Sequence, residues 1–256
     1  MLELKDPHKT FNPGTVNAKT ALDGLSLTLR DGEFVTVIGG NGAGKSTMLN
    51  AAGTLSVDSG EVHLDGVDVT DLPEYKRAAY IGRMFQDPMM GTAPSMHIEE
   101  NLALAARRGQ KRGLRWGITK AERERYRALL GDLGLGLETR LSSEVSTLSG
   151  GQRQAPTLLM ATLKSPKLLL DEHTAALDPK TAAKVMALTD RIVTREKLTT
   201  LMITHNMRDA IQYGSRLVML HEGRVILDIS GEEKENLTVS EAAGAIRQSQ
   251  RRRIRQ

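Results

Sequence analysis

Gly39-Gly40-Asn41-Gly42-Ala43-Gly44-Lys45-Ser46-Thr47 is the stretch that decides the fold. The apolar run Phe34-Val35-Thr36-Val37-Ile38 precedes it, and a helical pattern follows from Thr47 to about Ala52. Strand, glycine-rich turn, Lys-Ser, helix is the context that makes a phosphate-binding loop. Glycines allow a tight turn that aims backbone N–H groups at phosphate oxygens. A helix starting near Gly44 adds its unpaired N–H groups and the positive end of its dipole. Lys45 supplies a point charge for β- and γ-phosphates, and Ser46 a hydroxyl for Mg²⁺. Gly39 to Thr47 are therefore the first predicted nucleotide contacts.

Working outward, the 256 residues suit one α/β domain with a sub-domain, or two small domains. Aromatics are only 3% of the chain, so the core is expected to be aliphatic and Met-rich. The absence of Cys excludes disulfides and thiolate metal sites. No apolar stretch is long enough to span a bilayer and no signal peptide opens the chain, which predicts a cytoplasmic polypeptide. Net charge is +4. Arg107, Arg108, Lys111, Arg112 and Arg115 gather around Trp116, and Arg247, Arg251, Arg252, Arg253 and Arg255 crowd the C-terminus. Such segments are either solvated faces or contacts for acidic lipid or nucleic acid. No aromatic series accompanies them, which argues against single-strand stacking and makes nucleic acid the weaker partner.

Residues 1–33 read as a short strand, a loop holding Phe11 and Pro13-Gly14, and an alternating strand at Leu25 to Leu29. Glu61 to Leu64 and Val67 to Val69 form a hairpin around Asp65-Gly66. Ala78 to Phe85 reads as strand, ending at Gln86. Helical spacing over His97–Arg108 and Lys120–Leu133 predicts an inserted helical sub-domain that continues to about Leu163. Leu168 to Asp171 is a buried strand. Pro179 to about Arg195 is a helix, with Asp178 as N-cap and Pro179 at N1. Strand Thr199–Thr204, a short helix Asn206–Ile211 and a hairpin of Arg216–Leu220 with Arg224–Ile229 follow. A last helix over Thr238–Ser249 leads into the basic tail.

Four further signals follow the phosphate loop. Gln86 at a strand exit can offer a carbonyl to Mg²⁺ and a donor to water. Leu148-Ser149-Gly150-Gly151-Gln152 has an N-cap Ser and bared backbone at a helix start, a second phosphate-binding surface. Two half-sites that cannot close on each other imply two chains facing head to tail, with each nucleotide between Lys45 of one and Ser149 of the other. Asp171-Glu172 ends an apolar strand, an Asp suited to Mg²⁺ and a Glu suited to general-base work on water. His205 lies at a strand's C-terminal end, placed to donate to a γ-phosphate.

This order of motifs, with Ala176-Leu177-Asp178 included, resembles the ATP-binding subunits of ABC transporters from Phe11 to about Gly231. The resemblance implies an α/β fold: a P-loop NTPase core with a mixed sheet flanked by helices, an antiparallel β sub-domain and an inserted helical sub-domain. The expected division is 1–88 with 164–235 for the core, 89–163 for the helical sub-domain and 236–256 for a C-terminal helix and tail. It implies ATP and Mg²⁺ as cofactors, Phe11 stacking on adenine, and Asp178 in the loop that crosses a dimer interface. Lys45, Gln86, Glu172 and His205 would be catalytic; Ser149, Gly150, Gly151 and Gln152 would bind the partner's nucleotide; Ser46, Gln86 and Asp171 would hold the metal. Asp87 to Thr92 and Asp171 to Ala176 are similar to one bacterial importer branch. That branch implies a membrane permease, an extracytoplasmic solute-binding protein, an amino-acid-like solute, and a place at the cytoplasmic face of the membrane.

Two departures from the family pattern stand out. Lys167 precedes only Leu168, Leu169 and Leu170, where the family has about four apolar residues, and one residue fewer reverses which face each side chain meets. Pro156 falls inside the helix that starts at Ser149, where an interior Pro costs roughly 3 kcal/mol or more. Three functions therefore compete: an ATPase that drives a permease, an ATPase acting on DNA, and an impaired subunit that binds ATP and regulates.

Overall fold

The computed structural model describes residues 1–87, 89–110, 117–242 and 244. The chain forms two compact units, Met1–Arg77 with Glu196–Gln256, and Ala78–Arg195.

The first unit holds two sheets. β1 (Leu2–Phe11) pairs antiparallel with β2 (Lys19–Asp23), β3 (Leu27–Leu29) and β5 (Ser59–Leu64), and β5 with β6 (Val67–Asp68). β2 was not expected, and β1 is longer than the short strand anticipated: Phe11 is its last residue, opposite Lys19, rather than part of a loop. The second sheet is mixed. β4 (Phe34–Gly39) lies parallel between β9 (Thr199–Ile203) and β10 (Arg216–His221), and β11 (Arg224–Ser230) closes an antiparallel hairpin with β10. β4 and β9 are buried along almost their whole lengths, which explains their continuous apolar runs: a parallel strand covered on both faces has no solvent side to mark by alternation.

Helix α1 (Lys45–Gly53) leaves the end of β4 and buries Met48, Leu49, Ala51 and Ala52. α2 is Glu74–Arg77, α7 is Met207–Gln212 and α8 is Glu232–Glu235. Arg77 is buried, and its guanidinium donates to the carbonyls of Ala51, Thr70 and Leu72. A buried cation is tolerated when its donors are used in this way. Thr36 on β4 donates its hydroxyl to Ala210 of α7 at 2.8 Å. Residues 239–242 begin the expected last helix, and the rest of that segment and the basic tail lie outside the described residues.

The second unit carries α3 (Ile98–Ala106), α4 (Lys120–Gly131), α5 (Gly150–Thr162) and α6 (Pro179–Glu196) with two parallel strands, β7 (Ile81–Met84) and β8 (Lys167–Asp171). The short strand before Asp171 is resolved by pairing. β7 offers four partners, so with three leucines the strand takes in Lys167, which is buried opposite Ile81. Its aliphatic stem is what packs at that depth. Arg107 and Arg108 of the basic cluster are engaged within the unit. Arg107 pairs with Glu122 at 2.9 Å, and Arg108 donates to Ile81, Ser165 and Met160. Lys111, Arg112, Arg115 and Trp116 lie outside the described residues.

Glu99 of α3 accepts both ends of the Arg123 fork of α4, at 2.6 and 2.8 Å. That pairing holds the Glu99 carboxyl below the ordinary carboxylate range. Its stabilisation is present above the unfolded value of 4.5 and is lost as pH falls through the lower folded value. Acid unfolding of Glu99→Gln should consequently begin from a lower stability and depend less on pH below 4.5 than that of the parent protein. Chemical denaturation at stepped pH measures both.

α5 begins at Gly150 with Ser149 as its N-cap, so Pro156 is interior, and the helix runs through it without a break. Pro156 has no N–H for the Gln152 carbonyl, and its ring crowds that oxygen. Pro156→Leu should therefore raise stability by about 2–3 kcal/mol, read from melting curves. A neutral or destabilising outcome would show that the buried surroundings of Pro156 are shaped to the ring.

Candidate nucleotide and catalytic site

In the first unit the phosphate loop joins β4 to α1. The N-cap of α1 is Gly44, in the left-handed region at φ 97°, with no capping side chain and no acidic residue in the first turn. A Cβ on Gly44 would lie 2.3 Å from the Ala21 carbonyl, so only glycine fits. The loop is further tied by Ala43 N–H to the Gly40 carbonyl and Gly223 N–H to the Ala43 carbonyl. Lys45 turns its ammonium back over the loop, donating to the carbonyls of Gly39 at 2.8 Å and Gly40 at 3.1 Å. No carboxylate pairs with Lys45 among the described residues. A helix start without an anionic cap and a cation held by neutral carbonyls form a donor set that fits a polyphosphate.

β4 and β9 are parallel, and Thr204 N–H donates to the Val37 carbonyl. His205 therefore emerges at the same end of these strands as the phosphate loop, exposed, in the turn that enters α7. Asn206 caps that helix by accepting from Arg208 N–H at 3.0 Å. Phe11 is partly exposed at the end of β1. Sequence reasoning missed Lys19. Its Nζ lies 3.2 Å from where a Cβ on Gly42 would stand, so a second cation sits beside the loop. The signal was hidden because β2, which carries Lys19 opposite Phe11, is too short and polar to read as a strand.

In the second unit β7 and β8 are parallel, with Met84 opposite Leu170. Gln86 and Asp171-Glu172 thus leave at the same strand ends, Gln86 exposed and the two carboxylates half-buried. Arg83, also missed, lies 3.7 Å from the Asp171 carboxylate and stacks over Phe85 at 4.5 Å. Glu172 has φ 45°, the left-handed region for a residue with a side chain. Such backbone strain persists only where the surroundings hold it.

Ser149 caps α5 in a capping box: its hydroxyl oxygen accepts from Gln152 N–H, and Gln152 Oε1 accepts from Ser149 N–H. The serine hydroxyl keeps its own proton to donate. Arg153 clamps the approach to the helix through the carbonyls of Val145, Ser146 and Leu148. Gly151 meets α6 so closely that an added Cβ would lie 2.1 Å from Thr181 Cγ2. Asp178 Oδ1 accepts from Thr181 N–H at 3.1 Å, and the Thr181 hydroxyl, followed by this N–H, lowers its pKa. Ser149, Gly150, Gly151, Gln152 and Asp178 line one cavity of about 660 Å³. Among the described residues no cluster of His, Asp and Glu could hold a metal alone, a donor set in keeping with Mg²⁺ that arrives with phosphate and keeps only one or two protein ligands.

A family model described as ABC transporter matches residues 22–175. A tyrosine transport ATP-binding protein of Clostridioides difficile is 49% identical over 94% of this chain and 96% of its own length. A methionine import ATP-binding protein of Rhizobium johnstonii is 36% identical over 88% of this chain, which spans 60% of that relative. Among solved structures, a dimeric ATP-binding cassette in a post-hydrolysis state bound to ADP and Pi superposes with a TM-score of 0.77, at 31% identity over 90% of this chain and 98% of its own. The fold is that of an ATP-binding cassette, an ATPase that works with ATP and Mg²⁺. The chain belongs to the ABC transporter family, as an ATP-binding subunit.

Removing the loop cation isolates the first half-site. ATP with Mg²⁺ should raise the melting temperature of the parent protein, and Lys45→Ala should abolish that rise. An undiminished rise would show that the nucleotide binds elsewhere.

Proposed function

We propose that this subunit energises import of an amino-acid-like solute through a separate membrane permease. The observation that carries the reading is the presence of two phosphate-ready helix starts in one chain, α1 behind Lys45 and α5 behind Ser149. Two such half-sites are used together when two copies meet head to tail, each nucleotide lying between Lys45 of one copy and the Ser149–Gln152 segment of the other. Dimeric neighbours among ATP-binding cassettes support this. In this reading Ser46, Gln86 and Asp171 hold Mg²⁺, Glu172 polarises the attacking water, His205 donates to the γ-phosphate, Phe11 stacks on adenine and Asp178 faces the dimer seam. Held by these residues, Mg²⁺ would offset the negative charge that develops on the phosphate during transfer. The core in this reading is 1–88 with 164–235, the helical sub-domain 89–163, and 236–256 a C-terminal helix and basic tail.

Import is favoured by the relatives, whose names specify tyrosine transport and methionine import. The solute class follows from the same names. The solute itself is recognised by the permease and an extracytoplasmic binding protein, and the subunit works peripherally at the cytoplasmic face. Among the described residues no helix is long and apolar enough to cross a membrane. Contact of the basic segment with acidic lipid rests on Lys111, Arg112 and Arg115, since Arg107 and Arg108 are engaged internally. The impaired-subunit reading rested on Pro156 and Lys167. It is not favoured, because α5 continues through Pro156 and β8 carries Asp171 to its end.

Glu172→Gln should retain ATP binding, lose nearly all turnover and sediment as a dimer at saturating ATP, while the nucleotide-free protein is mostly monomeric. A variant that stays monomeric with ATP would overturn the head-to-tail reading.

A further inference from the structure

His173, the residue after Glu172, is 2% exposed and belongs to no nucleotide or metal contact described above. Its two polar ends are both used. The backbone carbonyl accepts from Gln154 Nε2 of α5 at 2.7 Å, in a buried contact. The ring Nε2 is 3.1 Å from the hydroxyl of Thr189 on α6, and that hydroxyl donates its proton to the Val185 carbonyl at 2.9 Å. Thr189 can then only accept, so His173 is the donor and carries its proton on Nε2. Gln154 Oε1 has no donor among the described residues, so the amide's only bond here is the one to His173.

The turn that this bridge holds is the strained one. Glu172 sits at φ 45°, and its carbonyl accepts from Ala175 N–H at 2.9 Å. A left-handed residue with a side chain relaxes unless its neighbours are fixed. His173 is the neighbour, fixed from α5 on one side and α6 on the other. α5 is also the helix whose N-cap is Ser149, and α6 is the helix that Asp178 caps.

We propose that His173 is a positioning residue, whose bonds to Gln154 and Thr189 lock the Glu172 turn to the helix that carries Ser149. The proposal rests on the assignment of Glu172 as the base and of Ser149–Gln152 as the partner nucleotide's contact. Its consequence is that the seating of the Ser149 helix on one nucleotide sets the aim of the carboxylate that serves the other. A shift of that carboxylate changes turnover without changing how ATP meets the Lys45 loop, since misplacement of about 1 Å can cost on the order of a hundredfold in rate.

The experiment is steady-state phosphate release, with the ATP-dependent melting rise measured in parallel, on Thr189→Val, Thr189→Ser, Gln154→Met and the Thr189→Val/Gln154→Met double variant. Expected for Thr189→Val and Gln154→Met is a fall in kcat of about tenfold or more with KM and the melting rise within about twofold of the parent. Thr189→Ser, which keeps the acceptor, should restore kcat. The double variant should be no slower than the worse single, because both break one bridge. Parental kcat in both single variants, equal losses in Thr189→Val and Thr189→Ser, or fully additive losses would each overturn the proposal. If one single variant fails to fold, as loss of the melting rise would show, the other carries the test. Retained turnover in Glu172→Gln would instead overturn the underlying assignment of the base.

Discussion

The close approach of the α1 start to the neighbouring backbone is the constraint on which the nucleotide site depends. Gly44 lies where the Ala21 carbonyl leaves no space for a Cβ, and its left-handed φ lets α1 begin with its N–H groups facing outward from the end of β4. A capping side chain or an acidic first turn would satisfy those groups internally. Their absence leaves the helix start for phosphate. The stiffness behind the loop comes from β4, buried along its length between two parallel neighbours. Each Val or Ile there contributes on the order of 1.5–3 kcal/mol by leaving water, enough to hold an unusual turn at the strand's end.

The second unit solves a related problem with side chains. Its helix α5 is capped by Ser149, its approach is held by Arg153, and its first turn is pressed against Thr181 at Gly151. Arg153 does this through backbone carbonyls, and the buried His173 ring is tied to Thr189 of α6. Hydrogen bonds buried inside a unit are little screened by salt.

Where the reading of the chain fell short, the cause was partner geometry. β2 is short and polar, so nothing in its composition marked it, and with it Lys19 beside Gly42 was lost. Phe11 belongs to a strand end because β2 pairs with it. Lys167 looked like a polar flank, yet β7 has a fourth register position to fill and draws it into the sheet. Arg107 and Arg108 resembled a surface charge run, and only the positions of Glu122, Ser165 and the Ile81 carbonyl turn them inward. Pro156 was read correctly as an interior proline, since the Ser149 cap and Gln152 three residues later mark where α5 begins.

The sequence by itself determined the family-level fold, the two phosphate-ready helix starts and the carboxylate pair, because each is a local pattern. Glycines at fixed spacing, a capping box and an apolar run ending in Asp-Glu are set by backbone chemistry within a few residues. The tertiary structure alone decided which residues support them. Lys19 beside the loop, Arg83 at Asp171, Thr181 against Gly151, and His173 between Gln154 and Thr189 join positions far apart in the chain. Their roles depend on which carbonyl, hydroxyl or ring the packing brings within bonding distance, and that distance is a property of the folded chain, not of any segment of it.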